Sequence, residues 1–421
     1  MKSIGRLVGL YVVLLAAFTV SIIAVHAIPT SMVRENVSRS ADIIEEEGIF
    51  RKILGFELFK IDNMTDCMML NMNVNADSRE PVKSAMLNEF AKDYSGRQGY
   101  FGMARATKHL AENGRESMPE QVGYGRYWHG YQLLLRPLLV FFDYAQIRII
   151  NFFCLFSLTV LVSVMMYRRY HWAYAAGLLV SLAVINFPIV PFAIQFSTCF
   201  YIAFLSMFAV MRFPALTKNV ENSLMTFFVI GALTGFMDFL TTPQLTLGLP
   251  LLLCLIDLND FKRWHYIICV GVSWLSGYAL LWASKWLVAY LLTGINIFQS
   301  AVDSIELRVS NTVVVGGNAI SMEELYEKTS RQLFNIVSPS IILAVLGIII
   351  ILGILHIVFR WKASQQYGYL LLVAGIVPVW YIFLKNHSLQ HIFFTWRALL
   401  LSIYSVLLFV YFTIQPEKEN E

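Results

Sequence analysis

The sequence predicts an all-α fold, a polytopic membrane bundle of about ten helices. Three observations carry that expectation. Hydrophobic residues make up 57% of the 421-residue chain and charged residues only 14%, against about 25% charged in ordinary soluble domains. The deficit is concentrated in apolar stretches of roughly twenty residues, the length a helix needs to cross ~30 Å of hydrocarbon. Lysines and arginines recur at every second connection between those stretches. Unsatisfied backbone in lipid costs several kcal/mol, and the stretches are far too long for barrel strands.

The spans fall at roughly 7–28, 145–166, 172–190, 193–212, 224–240, 242–257, 266–290, 338–359, 367–385 and 393–414. Lys2 and Arg6 precede the first span, which by the positive-inside rule places the N-terminus in the cytoplasm. Alternate crossings then put Arg168 and Arg169, Arg212 and Lys218, Lys262 and Arg263, and Arg360 and Lys362 on that same side, with the C-terminus. The expectation is a multi-pass integral protein of a bacterial plasma membrane with both termini cytoplasmic. The first span has the basic start and small residues (Ala24, Ala27) of a signal peptide. Its apolar run exceeds the ~7–15 residues of such peptides, so it reads as a retained helix. Of the five cysteines, Cys154, Cys199, Cys254 and Cys269 fall inside spans, leaving Cys67 alone outside them and no disulfide framework. A net charge of +4 mostly reflects the loop asymmetry and implies no nucleic-acid partner.

The layout is uneven. The first helix (1–28) is followed by a large extracytoplasmic loop (29–144), then helices two to seven (145–290), a second extracytoplasmic segment (291–337), and the last three helices with a cytoplasmic tail (338–421). No internal repeat is visible, which weakens the inverted-repeat plan of many transporters. Within the first loop, SADIIEEEGIFRKILGFELFK and VKSAMLNEFAKDY carry a helical rhythm. YQLLLRPLLVFFDY, residues 131–144, is too short to span and reads as an interface helix, with Tyr131 and Tyr144 at headgroup depth.

Polar residues gather on the expected outer side in four clusters. In DNMTDCMML, Asp62 and Asp66 share one helix face, where like charges repel slightly. A divalent cation, an arginine or a catalytic need would offset that repulsion, and a solvated acidic face is the bland alternative. In GYGRYWHGYQ, Arg126 and His129 stand among four aromatics, a surface suited to phosphate and sugar or to an interfacial aromatic belt. In FMDFLTTPQLTLG, Asp238 is an ionisable group beside membrane spans, functional or capping the next helix. In NHSLQHIFFTWR, His387 and His391 lie one helical turn apart beside Asn386, with Arg397 just inside the last span. Two histidines at this spacing can bind zinc, but a site needs a third ligand, and no HExxH occurs. The other reading is an anion site built from Arg397 and histidine donors. Lys285, between Trp282 and Trp286, adds a cation that either joins the cavity or snorkels.

A first span, a helical outer loop with DNMTD, GRYWHGYQ leading into an interface helix, and then a bundle together resemble the GT-C class of membrane glycosyltransferases. The resemblance covers most of the chain as a layout and rests on those two short motifs. It implies a polyprenyl-phosphate-linked sugar as donor, a glycan or lipid of the cell envelope as acceptor, and catalysis by a first-loop carboxylate. That role falls to Asp62 or Asp66, with Asp42, Glu45 and Glu57 as further candidates because DNMTD lies late in the loop. Chemically, a carboxylate would take the acceptor proton while Arg126, His387, His391 and Arg397 stabilise the departing lipid phosphate. His129 and Asp238 complete the substrate-binding set. The competing readings are a lipid-linked saccharide or lipid transporter, and a polysaccharide polymerase or ligase. Sequons at Asn36, Asn63 and Asn386 fall outside by this topology.

Overall fold

A computed structural model of the chain describes residues 2–55, 59–92, 102–118, 120–256, 258, 263–310, 312–315, 318–321, 324 and 351–415. The chain is helical almost throughout, with very little strand. Helix α1 (Lys2–His26) is a run of leucine, valine and alanine that ends ahead of Pro29. Between it and α7 lies a separate helical segment. It comprises α2 (Arg34–Glu47), α3 (Asn63–Asn75), α4 (Pro81–Leu87), α5 (Met103–Asn113) and α6 (Gln132–Phe141), with a two-residue antiparallel ladder of β1 (Phe90–Ala91) and β2 (Gln121–Val122).

Local chemistry sets these boundaries. Gly48, at φ 78°, stops α2, so the predicted helix over SADIIEEEGIFRKILGFELFK ends at Glu47. Asp62 caps α3 by accepting the Thr65 N–H. Pro81 opens α4 and Asn88 closes it in the left-handed conformation, which cuts short the helix expected over 82–94. Val33, just ahead of α2, and Val37 and Ile44 of α2 pack with Met69, Leu70 and Met72 of α3, Leu110 of α5, Leu135 and Leu139 of α6, and Ile147 of α7 in one core.

The bundle follows: α7 (Tyr144–Arg169), α8 (Trp172–Val184), α9 (Ile194–Arg212), α10 (Val220–Met237), α11 (Gln244–Ile256), α12 (Arg263–Thr293) and α13 (Phe298–Val309). A hairpin of β3 (Thr312–Val315) and β4 (Asn318–Ser321) comes next. After the helical residues 351–359 stand α14 (Trp361–Tyr367), α15 (Tyr369–Phe383), α16 (Lys385–Gln390) and α17 (Ile392–Ile414).

Six helices among the described residues are long and apolar enough to cross a membrane: α1, α7, α9, α10, α12 and α17. Counting α14 and α15, which meet at a 56° bend, as one broken span makes seven. The count of about ten is therefore not reached among the described residues, and the reasons are local. Helix α8 stops at Val184, because Asn186 takes φ 55° and Pro188 and Pro191 turn the chain into a 3-10 segment. Its 13 residues reach only ~20 Å. Helix α11 also has 13 residues, starting after Pro243, and is buried on nearly every side by the other helices. Of the span expected at 338–359, residues 338–350 lie outside the described residues.

Helices α10 and α12 pack closely along much of their length. Gly231 and Gly235 form a GxxxG stripe on α10, facing Gly277 on α12. A Cβ at Gly231 would collide with the Trp274 carbonyl oxygen, and one at Gly277 with that of Phe228. By contrast, Gly271 on the same α12 has open space around it. We expect Gly231→Ala to push the two helices apart and destabilise the bundle by about 1–3 kcal/mol, while Gly271→Ala leaves it unchanged. Thermal unfolding in detergent followed by gel filtration would check the pair, and equal behaviour of the two variants would contradict this packing.

Candidate functional site

Asp62 and Asp66 are both buried, and every carboxylate oxygen is engaged. Asp62 Oδ1 accepts the Thr65 N–H at 3.0 Å, and Oδ2 accepts the Thr65 hydroxyl at 2.7 Å and the Gln195 amide. Asp66 reaches across to another helix. Its Oδ2 accepts the Ile194 N–H at 2.8 Å and the Tyr144 hydroxyl at 2.5 Å, and its Oδ1 accepts the Gln195 N–H at 3.2 Å. Ile194 and Gln195 open α9, so Asp66 is the cap of a helix it does not belong to, with its charge at the positive end of the helix dipole. The two aspartates expected to be catalytic thus hold α3 and α9 together. Of the further first-loop candidates, Asp42 is paired with Lys108 and Glu45 with Arg105 on the surface, and Glu57 lies outside the described residues.

The network extends from Asp66. Arg148, near the start of α7, donates to Glu47 Oε1 and Oε2 at 2.9 and 2.8 Å, to Asn63 Oδ1 at 2.5 Å and to the Tyr144 hydroxyl at 2.9 Å. Asn63 in turn donates to Glu47 and to the Gly48 carbonyl. The sequon at Asn63 is therefore closed to modification. Asn36, buried and donating to the Leu139 carbonyl, and Asn386, buried and donating to the Leu307 carbonyl, are closed for the same reason. Tyr131 and Tyr144, expected at headgroup depth, are buried inside the protein instead.

A second assembly forms around Tyr127. The Arg126 guanidinium stacks 4.1 Å from the centre of the Tyr124 ring and 5.6 Å from that of Tyr127. Trp282 of α12 stacks on Tyr127 at 6.0 Å, and Trp286 donates to the Arg126 carbonyl at 3.1 Å. From the other side, Arg308 of α13 donates to the Tyr127 hydroxyl at 2.6 Å. Arg126 Nε, Arg308 Nε and Trp282 Nε1 are buried, and none has an acceptor among the described residues. Three orphaned donors around one tyrosine are unusual, because buried polar groups are nearly always paired.

His387 and His391, with ring centres 4.7 Å apart, lie near Arg308 at the edge of this assembly. His387 Nε2 donates to the Leu240 carbonyl at 2.8 Å, and Asn386 ties α16 to α13 through Leu307 and Ser310. Burial, reinforced by His387's neighbour His391 and by Arg308, holds His387 well below its ordinary range, and burial with Arg308 pushes His391 down to about 4. Both rings are neutral near pH 7. Among the described residues, no three His, Cys, Asp or Glu side chains gather as metal ligands.

The remaining expected site residues take other places. Asp238 shapes the turn beside His387: its Oδ2 accepts the Leu240 and Thr241 N–H groups at 2.8 and 2.9 Å, and its Oδ1 the Thr241 hydroxyl at 2.5 Å. That turn holds Leu240 at φ 75°, a costly conformation for leucine. His129 sits behind the aromatic wall, with Nε2 donating to the Tyr124 carbonyl at 2.8 Å, so it shapes the loop. Lys285 points away from the cluster, donates to the Ala85 carbonyl at 2.7 Å and lies 5.1 Å from the Trp128 ring centre. Arg397 stacks on Phe196 at 4.9 Å and donates to the Phe393 carbonyl at 2.8 Å, beyond the Thr241–Thr242 turn. The structure thus gathers Arg126 and Arg308 at Tyr127, with His129 among the same rings, sets His387 and His391 beside Arg308, and places Asp62, Asp66, Lys285 and Arg397 elsewhere. Arg308 carried no distinguishing signal beyond being a lone arginine on an amphipathic stretch.

Comparison of the chain with known protein families, curated proteins and solved structures found no match.

Burial pushes the Asp66 carboxyl from an ordinary 3.8 up to about 6, held back in part by the Tyr144 hydroxyl and the Ile194 N–H. The folded protein therefore holds this proton more tightly than the unfolded chain, whose aspartates titrate near ~3.9. Stability from this group is fully present below pH ~4, declines as pH rises towards 6 and is constant above. We expect Asp66→Ala to flatten that part of the pH–melting curve. It should also cost about 1–3 kcal/mol by leaving three donors without an acceptor. A purely catalytic Asp66 would instead give lost turnover with unchanged melting.

Proposed function

We propose that the chain is a membrane protein that binds the phosphate of a polyprenyl-linked saccharide, with glycosyl transfer of the GT-C kind as its reaction. Its site is the assembly of Arg126, Tyr127, Trp282 and Arg308, adjoined by His387 and His391. The observation that carries the reading is the set of orphaned donors, Arg126 Nε, Arg308 Nε and Trp282 Nε1, gathered around Tyr127. Three N–H groups, two of them on cations, suit a ligand that brings several oxygen acceptors and negative charge to one point. A phosphate does so. The faces of Tyr124, Tyr127 and Trp282 suit the apolar side of a sugar ring beside it.

Location supports the same reading. Arg126 and Arg308 come from the two longest segments between expected spans, 29–144 and 291–337, which the basic-loop pattern assigns to the extracytoplasmic side. In the proposed ten-pass path, α8 with the 3-10 segment that follows it and α11 with the turn that precedes it carry the chain across between the longer spans. In this reading both termini are cytoplasmic, the membrane is a bacterial plasma membrane, and the acceptor is a glycan or lipid of the envelope.

One observation favours a second reading, transport of a lipid-linked saccharide without chemistry. Asp62, Asp66 and Asp238, the carboxylates nearest in sequence to the polar clusters, are all engaged in caps and turns. Glycosyl transfer then needs its base from another carboxylate or from a cap that opens.

In detergent, Arg308→Ala should weaken binding of a polyprenyl phosphate roughly ten- to hundredfold, as expected for loss of about 1.5–3 kcal/mol of charge-assisted hydrogen bonding. The same variant should leave thermal stability near that of wild type, since the Arg308 side chain is only half buried. Isothermal binding with a panel of polyprenyl-phosphate sugars would test the site, and unchanged affinity would refute it. Consumption of one lipid-linked sugar in that panel supports the transferase, and binding without consumption supports the transporter.

A further inference from the structure

Helix α13 has three faces with three different chemistries. Successive residues turn by about 100°. Ala301, Ser304 and Arg308 fall on one side and meet the protein: Ala301 is buried, Arg308 bonds Tyr127, and α16 packs alongside through Asn386. Phe298, Val302, Ile305 and Val309 fall within an arc of about 60° on a second side, and all four are exposed. Gln299, Asp303 and Glu306 fall on a third side and are also exposed, with the exposed Leu307 at the edge between that side and the protein-facing one. A helix surrounded by water has no use for the apolar stripe. One buried in lipid has no use for the acidic face.

The position of α13 along the fold supplies the missing surroundings. Helix α12 has 31 residues, ~46 Å of rise, close to the ~40–45 Å of a bilayer with its headgroup regions. Its far end therefore reaches headgroup depth. Leu291, Leu292 and Ile295 at that end are exposed and apolar, so the lipid-facing surface of α12 runs on into the α13 stripe. Gly294, at φ 72°, turns the chain between the two helices.

We propose that α13 lies in the headgroup–acyl boundary of the bilayer. Its apolar stripe is immersed by about 5–10 Å, as for interfacial amphipathic helices. Its acidic face meets water, and its third face carries Arg308 into the protein at headgroup level. The lipid surface, and no protein partner, covers the stripe. This goes beyond the proposed function and does not depend on it, since the helix would lie there whichever reaction or transport the neighbouring site performs.

The test uses full-length protein with Cys154→Ala and Cys269→Ala, leaving only buried cysteines. Val302→Cys and Asp303→Cys are each labelled with an environment-sensitive fluorophore and reconstituted in phosphatidylcholine–phosphatidylglycerol vesicles. The Val302 label should be quenched several-fold more by lipids spin-labelled near the headgroup than by iodide, and the Asp303 label the reverse. Ile305→Cys reads the same face should the Val302 variant not reconstitute. Equal iodide quenching at both positions would overturn the proposal by placing α13 in water. A Val302 label reached by neither quencher would overturn it in favour of a covering protein, such as a second copy of the chain.

Discussion

The arrangement depends on one buried carboxylate at the start of a helix. Helix α9 begins against the rest of the protein, where its first N–H groups have no intrahelical acceptor. Asp66 supplies the acceptor for two of them. Because Asp66 sits on α3 and also takes the Tyr144 hydroxyl of α7, that single side chain fixes the segment between α1 and α7 against the bundle. Arg148 and Glu47 extend the clamp to the end of α2, and Asp62 repeats the contact through Gln195. A buried charge is tolerated here because each lone pair is met and the helix dipole favours it.

Everything around Tyr127 follows from that clamp. The loop carrying Arg126 and Tyr127 can lie against α12 only when the 29–143 segment is held in place. Gly130 makes the approach tight enough for its N–H to bond the Phe236 carbonyl at 2.9 Å, where any Cβ would meet the Phe236 ring. Lys285, donating to a carbonyl in the last turn of α4, secures the same segment from the α12 side. The Asp238 turn then sets Leu240, whose carbonyl orients His387. Structural caps and the cluster of unpaired donors are thus neighbours with separate tasks: the carboxylates hold backbone, and the arginines and tryptophan face one another across a tyrosine.

Much of the helical architecture was legible in the sequence, because apolar runs of span length leave little choice in lipid. Spans α1, α7, α9, α10, α12 and α17 lie where hydropathy places them. Helices α8 and α11 were over-extended because hydropathy does not register Asn186 in the left-handed region or a start delayed to Gln244. The site was half legible. Arg126, His387 and His391 were recognisable as polar residues in apolar surroundings, and the structure sets the first at Tyr127 and the other two beside Arg308. Asp62 and Asp66 carried the same signal for a different reason, since a tertiary cap and a catalytic base both need a buried carboxylate. Spacing within α3 cannot tell them apart, because the groups Asp66 serves are 78 and more residues away. Arg308 was missed for a similar reason, its partner Tyr127 lying 181 residues distant.

The central claim is that Asp66 caps α9 and so fixes the 29–143 segment against the bundle. Hydrogen exchange at the Ile194 and Gln195 amides tests it most directly, since first-turn amides of an uncapped helix exchange readily. The account predicts exchange in these two amides as slow as in the middle of α9, together with fast exchange in Asp66→Ala. Fast exchange of both amides in the native protein would contradict it.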